Sequence, residues 1–197
     1  MISHTKKFIF VHINKTGGTS VGKNINKYCS FSPHKHEMMF RKMPNNFVNK
    51  SNSNLYNRCR FPIEYYFKFT FVRNPWDRIV SNYSYAKEKW NPSCTDFKDY
   101  LTNYLPKYKR KMIHLNQYDW ISDFKNNIRV DFIGRFEKLQ EDFDKVCEII
   151  KIPQQQLPYI NKSNRKHYTE YYDEETKQIV AKKYAKDIEY FGYTFGN

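Results

Sequence analysis

The stretch FIFVHINKTGGTS, residues 8–20, decides the fold. It opens with a short apolar run bounded by a turn, which reads as a buried parallel strand over residues 8–13. Lys15 stands just before the pair Gly17-Gly18, Thr19 and Ser20 follow, and Val21, Ile25 and Tyr28 then recur at helical spacing. A strand, a glycine turn and a helix in that order aim backbone N–H groups and a positive helix end at one point. The unit therefore reads as a cradle for phosphate or sulfate. A second stretch, FKFTFVRNPWDRIVSNY at residues 67–83, has the same build. An aromatic-rich strand predicted over 65–72 ends at Arg73, Asn74 is placed as a helix N-cap, and Pro75 takes the first helical position. Ile79, Tyr83 and Ala86 share one face of that helix. Arg73 and Ser81, eight residues apart, can hold a second anionic group.

Outward from these two units the pattern continues. Residues 131–134 give a third short strand, and Leu139, Phe143, Val146, Cys147 and Ile150 trace an apolar helical stripe stopped by Pro153. Asp173, Glu174 and Glu175 crowd the start of a last helix, where negative charge suits the dipole. Strands alternating with helices make an α/β chain with a mainly parallel central sheet flanked by helices, expected as one domain over residues 1–197. Ligands in such folds lie beyond the carboxyl ends of the strands, where both quoted stretches turn. Two segments, 30–57 and 90–115, are polar and are read as loops facing a second substrate.

The chain carries a formal charge of +14 over 197 residues, which implies an anionic partner. Its basic residues are spread along the chain instead of forming one block, so nucleic acid does not follow from the charge. Cys29, Cys59, Cys94 and Cys147 are far apart, with no histidine spaced to complete a zinc site, and read as free or buried thiols. No segment is apolar enough to span a bilayer and no signal-peptide pattern precedes the first strand. The expectation is a cytoplasmic protein, with a Golgi location only if an upstream anchor has been removed.

The two quoted stretches resemble the nucleotide signatures of sulfotransferases that use 3'-phosphoadenosine 5'-phosphosulfate (PAPS). The likeness is to the carbohydrate-type branch, with the heparan sulfate O-sulfotransferases and bacterial sulfotransferase family 2 proteins. It extends through DFIGRFEKLQEDFDKVC at 131–147, LPYINKSNR at 157–165 and YYDEETKQIVAKKYAKDIEYFGYTF at 171–195, leaving out the regions around 42–62 and 91–115. The resemblance implies a P-loop-like fold. It further implies that Lys15, Thr16, Gly17, Gly18, Thr19 and Ser20 bind the 5'-phosphosulfate and that Arg73 and Ser81 bind the 3'-phosphate. Asn14 departs from the family pattern, where Pro or Gln often precedes the lysine.

Transfer of a sulfuryl group to a hydroxyl needs charge stabilisation on the leaving phosphate oxygen and removal of the acceptor's proton. The resemblance assigns the first task to Lys15, which taken alone also reads as a solvated turn lysine. For the second it implies a His or Glu between the two signatures. His36 in SPHKHEMMFRK is the first candidate base, His34 the second and Glu37 the third. Both histidines also read as exposed loop residues. His12 reads as a strand residue beside the turn, structural or nucleotide-facing, and for His114 and His167 an acceptor-facing place stays undecided. A late loop in relatives closes over the nucleotide, which brings in Asn161, Ser163 and Arg165. Arg78 reads as a surface residue, an ion-paired one with Asp77 or Glu137, or a nucleotide contact. Trp76 reads as core and Glu137 as a supporting carboxylate.

No metal is expected, and the implied partners are PAPS, its product PAP and a hydroxyl acceptor, of a sugar in the first reading. Two alternatives stay open. One is a non-catalytic module for nucleic acid or a polyanionic glycan. The other is a nucleotide-dependent kinase, although Lys15 precedes the glycines whereas the Walker A lysine follows the last of them.

Overall fold

The computed structural model describes residues 1–30, 59–90, 92–107, 112–123, 125–158 and 165–196. In chain order its elements are β1 (Ile2–Ser3), β2 (Phe8–Val11), α1 (Gly18–Ile25), β3 (Phe67–Val72), α2 (Pro75–Trp90), α3 (Phe97–Asp99), α4 (Leu105–Lys107), α5 (Gln117–Ile121), β4 (Phe132–Arg135), α6 (Leu139–Ile149), α7 (Glu174–Lys183) and α8 (Ala185–Phe191). They group into two compact units: residues 1–72 with 117–160, and residues 73–116 with 161–197.

The first unit holds a sheet in the order β1-β2-β3-β4. β1 runs antiparallel to β2, whereas β2, β3 and β4 run parallel. Parallel strands are buried on both faces, and β2 shows it: all four residues of FIFV are buried. Register sets Phe8 opposite Phe67 and Phe10 opposite Phe69, so the phenylalanines of both strands share one face. Phe10 and Phe69 stack with centroids 5.0 Å apart. Val21 and Ile25 of α1 and Phe143, Val146 and Cys147 of α6 cover that face in one hydrophobic cluster. Burying a side chain of this size contributes about 1.5–3 kcal/mol each, which anchors both helices. Thr70, a polar residue in the middle of β3, is satisfied because its hydroxyl donates to the Val11 carbonyl at 2.8 Å. The mixed α/β sheet, mainly parallel, is the one expected. Its third strand is shifted by one residue, and the helical spacing through Tyr28 resolves into α1 and a separate 3₁₀ turn, Asn26–Tyr28.

The second unit is helical. Ile79, Val80, Tyr83 and Ala86 of α2 pack with Tyr100, Leu101, Tyr104, Val180 and Tyr184. Here the structure corrects the reading of 90–115 as a polar loop. Within it, α3, a π-helical turn (Tyr100–Tyr104) and α4 run in succession, and Phe97, Tyr100, Leu101, Tyr104 and Leu105 are all buried. Tyrosine is counted as polar, yet its ring is a large apolar body that buries whenever its hydroxyl finds a partner. The Tyr100 hydroxyl is such a case, bonded to the Asn82 amide of α2.

Candidate active site

The turn after β2 is built on two glycines that tolerate no side chain. Gly17 has φ +79°, a left-handed conformation, and a Cβ there would lie 2.7 Å from Leu139 Cδ2. A methyl group on Gly18 would overlap the His12 imidazole, coming within 2.1 Å of its Cδ2. His12 is therefore held between this glycine and Phe10, whose ring it stacks on at 5.5 Å. Lys15 is itself left-handed, at φ 65°. A lysine in that region is strained by about 1–3 kcal/mol and persists where the surrounding turn imposes it.

α1 begins at Gly18 with no side-chain cap and no acidic residue in its first turn. The Ser20 and Val21 N–H groups return to the Gly17 carbonyl, at 3.0 and 3.4 Å. That leaves Gly18 and Thr19 to present the opening N–H groups of the helix, with the positive end of its dipole behind them. The Thr16 hydroxyl is buried and donates to the Ile13 carbonyl at 2.9 Å. Its contribution to a bound anion is thus limited to its backbone. Thr19 is exposed, whereas Ser20 is buried.

In the second unit Asn74 caps α2 as expected: its Oδ1 accepts from the Trp76 N–H at 3.1 Å. Its Nδ2 donates to the Thr194 carbonyl at 2.9 Å, so the helix start is also tied to the C-terminal strap. Beside it the Arg73 side chain is 7% exposed and makes an ion pair with Asp77, one turn along α2. Nε and Nη2 of Arg73 both reach Asp77 Oδ2, at 2.8 and 2.7 Å. The other carboxylate oxygen, Oδ1, accepts from Arg165 Nη2 at 2.5 Å. Ser81 lies a further turn along the same face, since positions four apart on a helix are neighbours.

The Sulfotransferase family profile matches residues 1–194, nearly the whole chain. The chain belongs to the sulfotransferase family. An uncharacterized protein of Archaeoglobus fulgidus is similar to it, with 32% identity over 104 residues, 52% of this chain and 82% of that protein.

The remaining candidates of the sulfotransferase fall as follows. His34, His36, Glu37, Asn161 and Ser163 lie outside the described residues. Arg78 is not a surface residue: it is buried, its Nη1 donates to the Leu115 carbonyl at 3.2 Å, and burial pushes its pKa down. Asp77 takes Arg73 and Arg165 as partners instead. Trp76 is core, donating from its indole N–H to the Lys177 carbonyl at 3.1 Å. His167 bonds Thr169 Oγ1 at 2.7 Å and opens the 3₁₀ turn Tyr168–Tyr171, a structural duty. His114 closes the 3₁₀ turn Met112–His114, and Glu137 lies in another, Phe136–Lys138. His4 bonds the Tyr66 hydroxyl at 2.7 Å beside the amino end of β2, away from the glycine turn. All four cysteines are free, and burial pushes the Cys29 and Cys147 thiols up to about 11. The residue that sequence reasoning missed is Asp77. Its signal was present, because Arg73, Asp77 and Ser81 stand at i, i+4 and i+8. Among the described residues no group of His, Cys, Asp and Glu could hold a metal, and no helix is long and apolar enough to cross a membrane.

Proposed function

We propose that the protein moves the sulfuryl group of PAPS to an acceptor hydroxyl, most simply of a sugar. The observation that carries this reading is the uncapped start of α1 behind Lys15, with no carboxylate in its first turn to compete for an anion. Each of the two units offers residues suited to an anionic group. The turn of Gly17 and Gly18 leaves its backbone bare for the 5'-phosphosulfate, and Arg165 Nη1 is a buried donor without a hydrogen-bond partner among the described residues. PAPS supplies an activated sulfuryl group. Lys15 and the N–H groups of Gly18 and Thr19 stabilise the negative charge that develops on the leaving phosphate oxygen. Arg73, with Ser81 and Arg165, holds the 3'-phosphate by charge-assisted hydrogen bonds. The +14 charge agrees with a doubly phosphorylated nucleotide and an anionic glycan together.

His36 removes the acceptor's proton, a role assigned from its place between the two signatures. Histidine suits the role because an unperturbed imidazole titrates near 6.5 and so is a base at neutral pH. Replacing His36 by Ala is expected to lower kcat about 100-fold while PAP binding stays near that of the parent. The parent's rate should also fall below about pH 6.5, as protonation removes the base. Loss of rate in His34→Ala alone would move the role to His34, and full rates in both variants would move it to Glu37.

The test of the reaction itself is transfer from labelled PAPS to a panel of glycans with EDTA present. Label in a glycan product supports the assignment. PAP binding without transfer to any acceptor would favour the binding module, and activity restored only by Mg²⁺ with a nucleoside triphosphate would favour a kinase.

A further inference from the structure

The Asp77 carboxylate sits between two nearly buried guanidinium groups, with Arg73 at its Oδ2 and Arg165 at its Oδ1. The three side chains are 7%, 14% and 15% exposed for Arg73, Asp77 and Arg165. Among the described residues, Asp77 is the one hydrogen-bond partner of the Arg165 guanidinium. Nη1 of that guanidinium is buried and has no partner among the described residues. A buried donor in that condition is costly, and a bound ligand or ion is one way such a donor gains its acceptor.

We propose that Asp77 is a positioning residue for anion binding, one that holds Arg165 so that Nη1 meets the same phosphate as Arg73. This rests on the reading of Arg73 as a 3'-phosphate ligand. Two opposing effects decide the sign of an Asp77 substitution. Removing the carboxylate takes away its repulsion of the phosphate, which favours binding. It also leaves two buried cations side by side, a condition strongly disfavoured in a low-dielectric setting. The less tethered cation leaves. Arg73 is carried on the short link between β3 and α2, whereas the Arg165 guanidinium loses the carboxylate that orients it and swings toward water. The phosphate then keeps one arginine instead of two. Asp77 is thus a carboxylate that strengthens anion binding through its effect on a cation.

The test measures dissociation constants for PAP and for adenosine 5'-phosphate, which lacks the 3'-phosphate, in the parent, Asp77→Ala, Asp77→Glu, Arg165→Ala and the double variant Asp77→Ala/Arg165→Ala. The expected result is a loss of PAP affinity of about tenfold or more in Asp77→Ala, with adenosine 5'-phosphate changed less than about twofold. Arg165→Ala should lose about as much as Asp77→Ala, and the double variant little more than either, because residues acting as one unit are not additive. Asp77→Glu should recover part of the loss. Thermal melts of each variant separate folding from binding. Equal losses for both ligands, or fully additive losses in the double variant, would overturn the role of Asp77. If the parent shows no preference for PAP over adenosine 5'-phosphate, the phosphate role of Arg73 itself fails, and the role of Asp77 with it.

Discussion

Replacing Lys15 by Ala is expected to lower the rate of sulfuryl transfer by about 10²–10³-fold, the range seen when one fixed donor to a developing oxyanion is removed. The size follows from where the lysine stands. It holds a left-handed conformation at φ 65°, one residue before the buried Thr16 and two before Gly17. Its backbone is therefore held by a turn that cannot relax without moving the glycines. If the proposed role of Lys15 holds, a side chain carried on such a turn is oriented in advance, and its charge counts most when the leaving oxygen becomes negative. The variant should also bind PAPS more weakly, which distinguishes it from His36→Ala, where binding is kept. Lys15→Arg keeps the charge but replaces a compact ammonium by a planar fork, and should recover only part of the rate. Single-turnover measurement of product formation checks this, and a rate in Lys15→Ala within a few-fold of the parent would remove the lysine from the chemistry.

Arg73→Ala has the second large effect, and it falls on binding. Losing a desolvated arginine from a phosphate contact commonly costs about 2–5 kcal/mol, equivalent to roughly 30-fold to several thousand-fold in affinity. The loss should appear with PAP and be nearly absent with adenosine 5'-phosphosulfate, which has no 3'-phosphate. Titration calorimetry with the two ligands reads the difference directly. Because Arg73 is buried against Asp77, the alanine variant leaves that carboxylate with Arg165 alone. Arg73→Lys, which retains a charge, controls for any local collapse. Equal losses for both ligands would contradict a role confined to the 3'-phosphate.

Much of the fold was legible in the sequence because short-range rules were enough. FIFV followed by a glycine pair is a strand entering a turn, and Asn74-Pro75 is a helix start, whatever surrounds them. Gly17 was readable for the same reason, since its φ of +79° is a local demand. The pairing of Arg165 with Asp77 was not legible: the two are 88 residues apart, and no local pattern announces a carboxylate shared between distant arginines. Arg78 misled for a related reason. Charge predicts exposure on average, yet this guanidinium is buried against the Leu115 carbonyl and near the Tyr184 ring. The aromatic run from Phe97 to Leu105 was hidden because tyrosines counted as polar residues turned out to be core. His36 rests on its place between the two signatures, so kinetics will decide it.

This chain is expected to bind a nucleotide phosphorylated at both ends of its adenosine. The decisive measurement is calorimetric titration with PAP, adenosine 5'-phosphate and adenosine 3'-phosphate in EDTA. One PAP per chain should bind, at least about tenfold more tightly than either monophosphate, with a matching rise in melting temperature because PAP binds only the folded protein. Absence of PAP binding, or affinity that does not distinguish PAP from the monophosphates, would contradict this expectation.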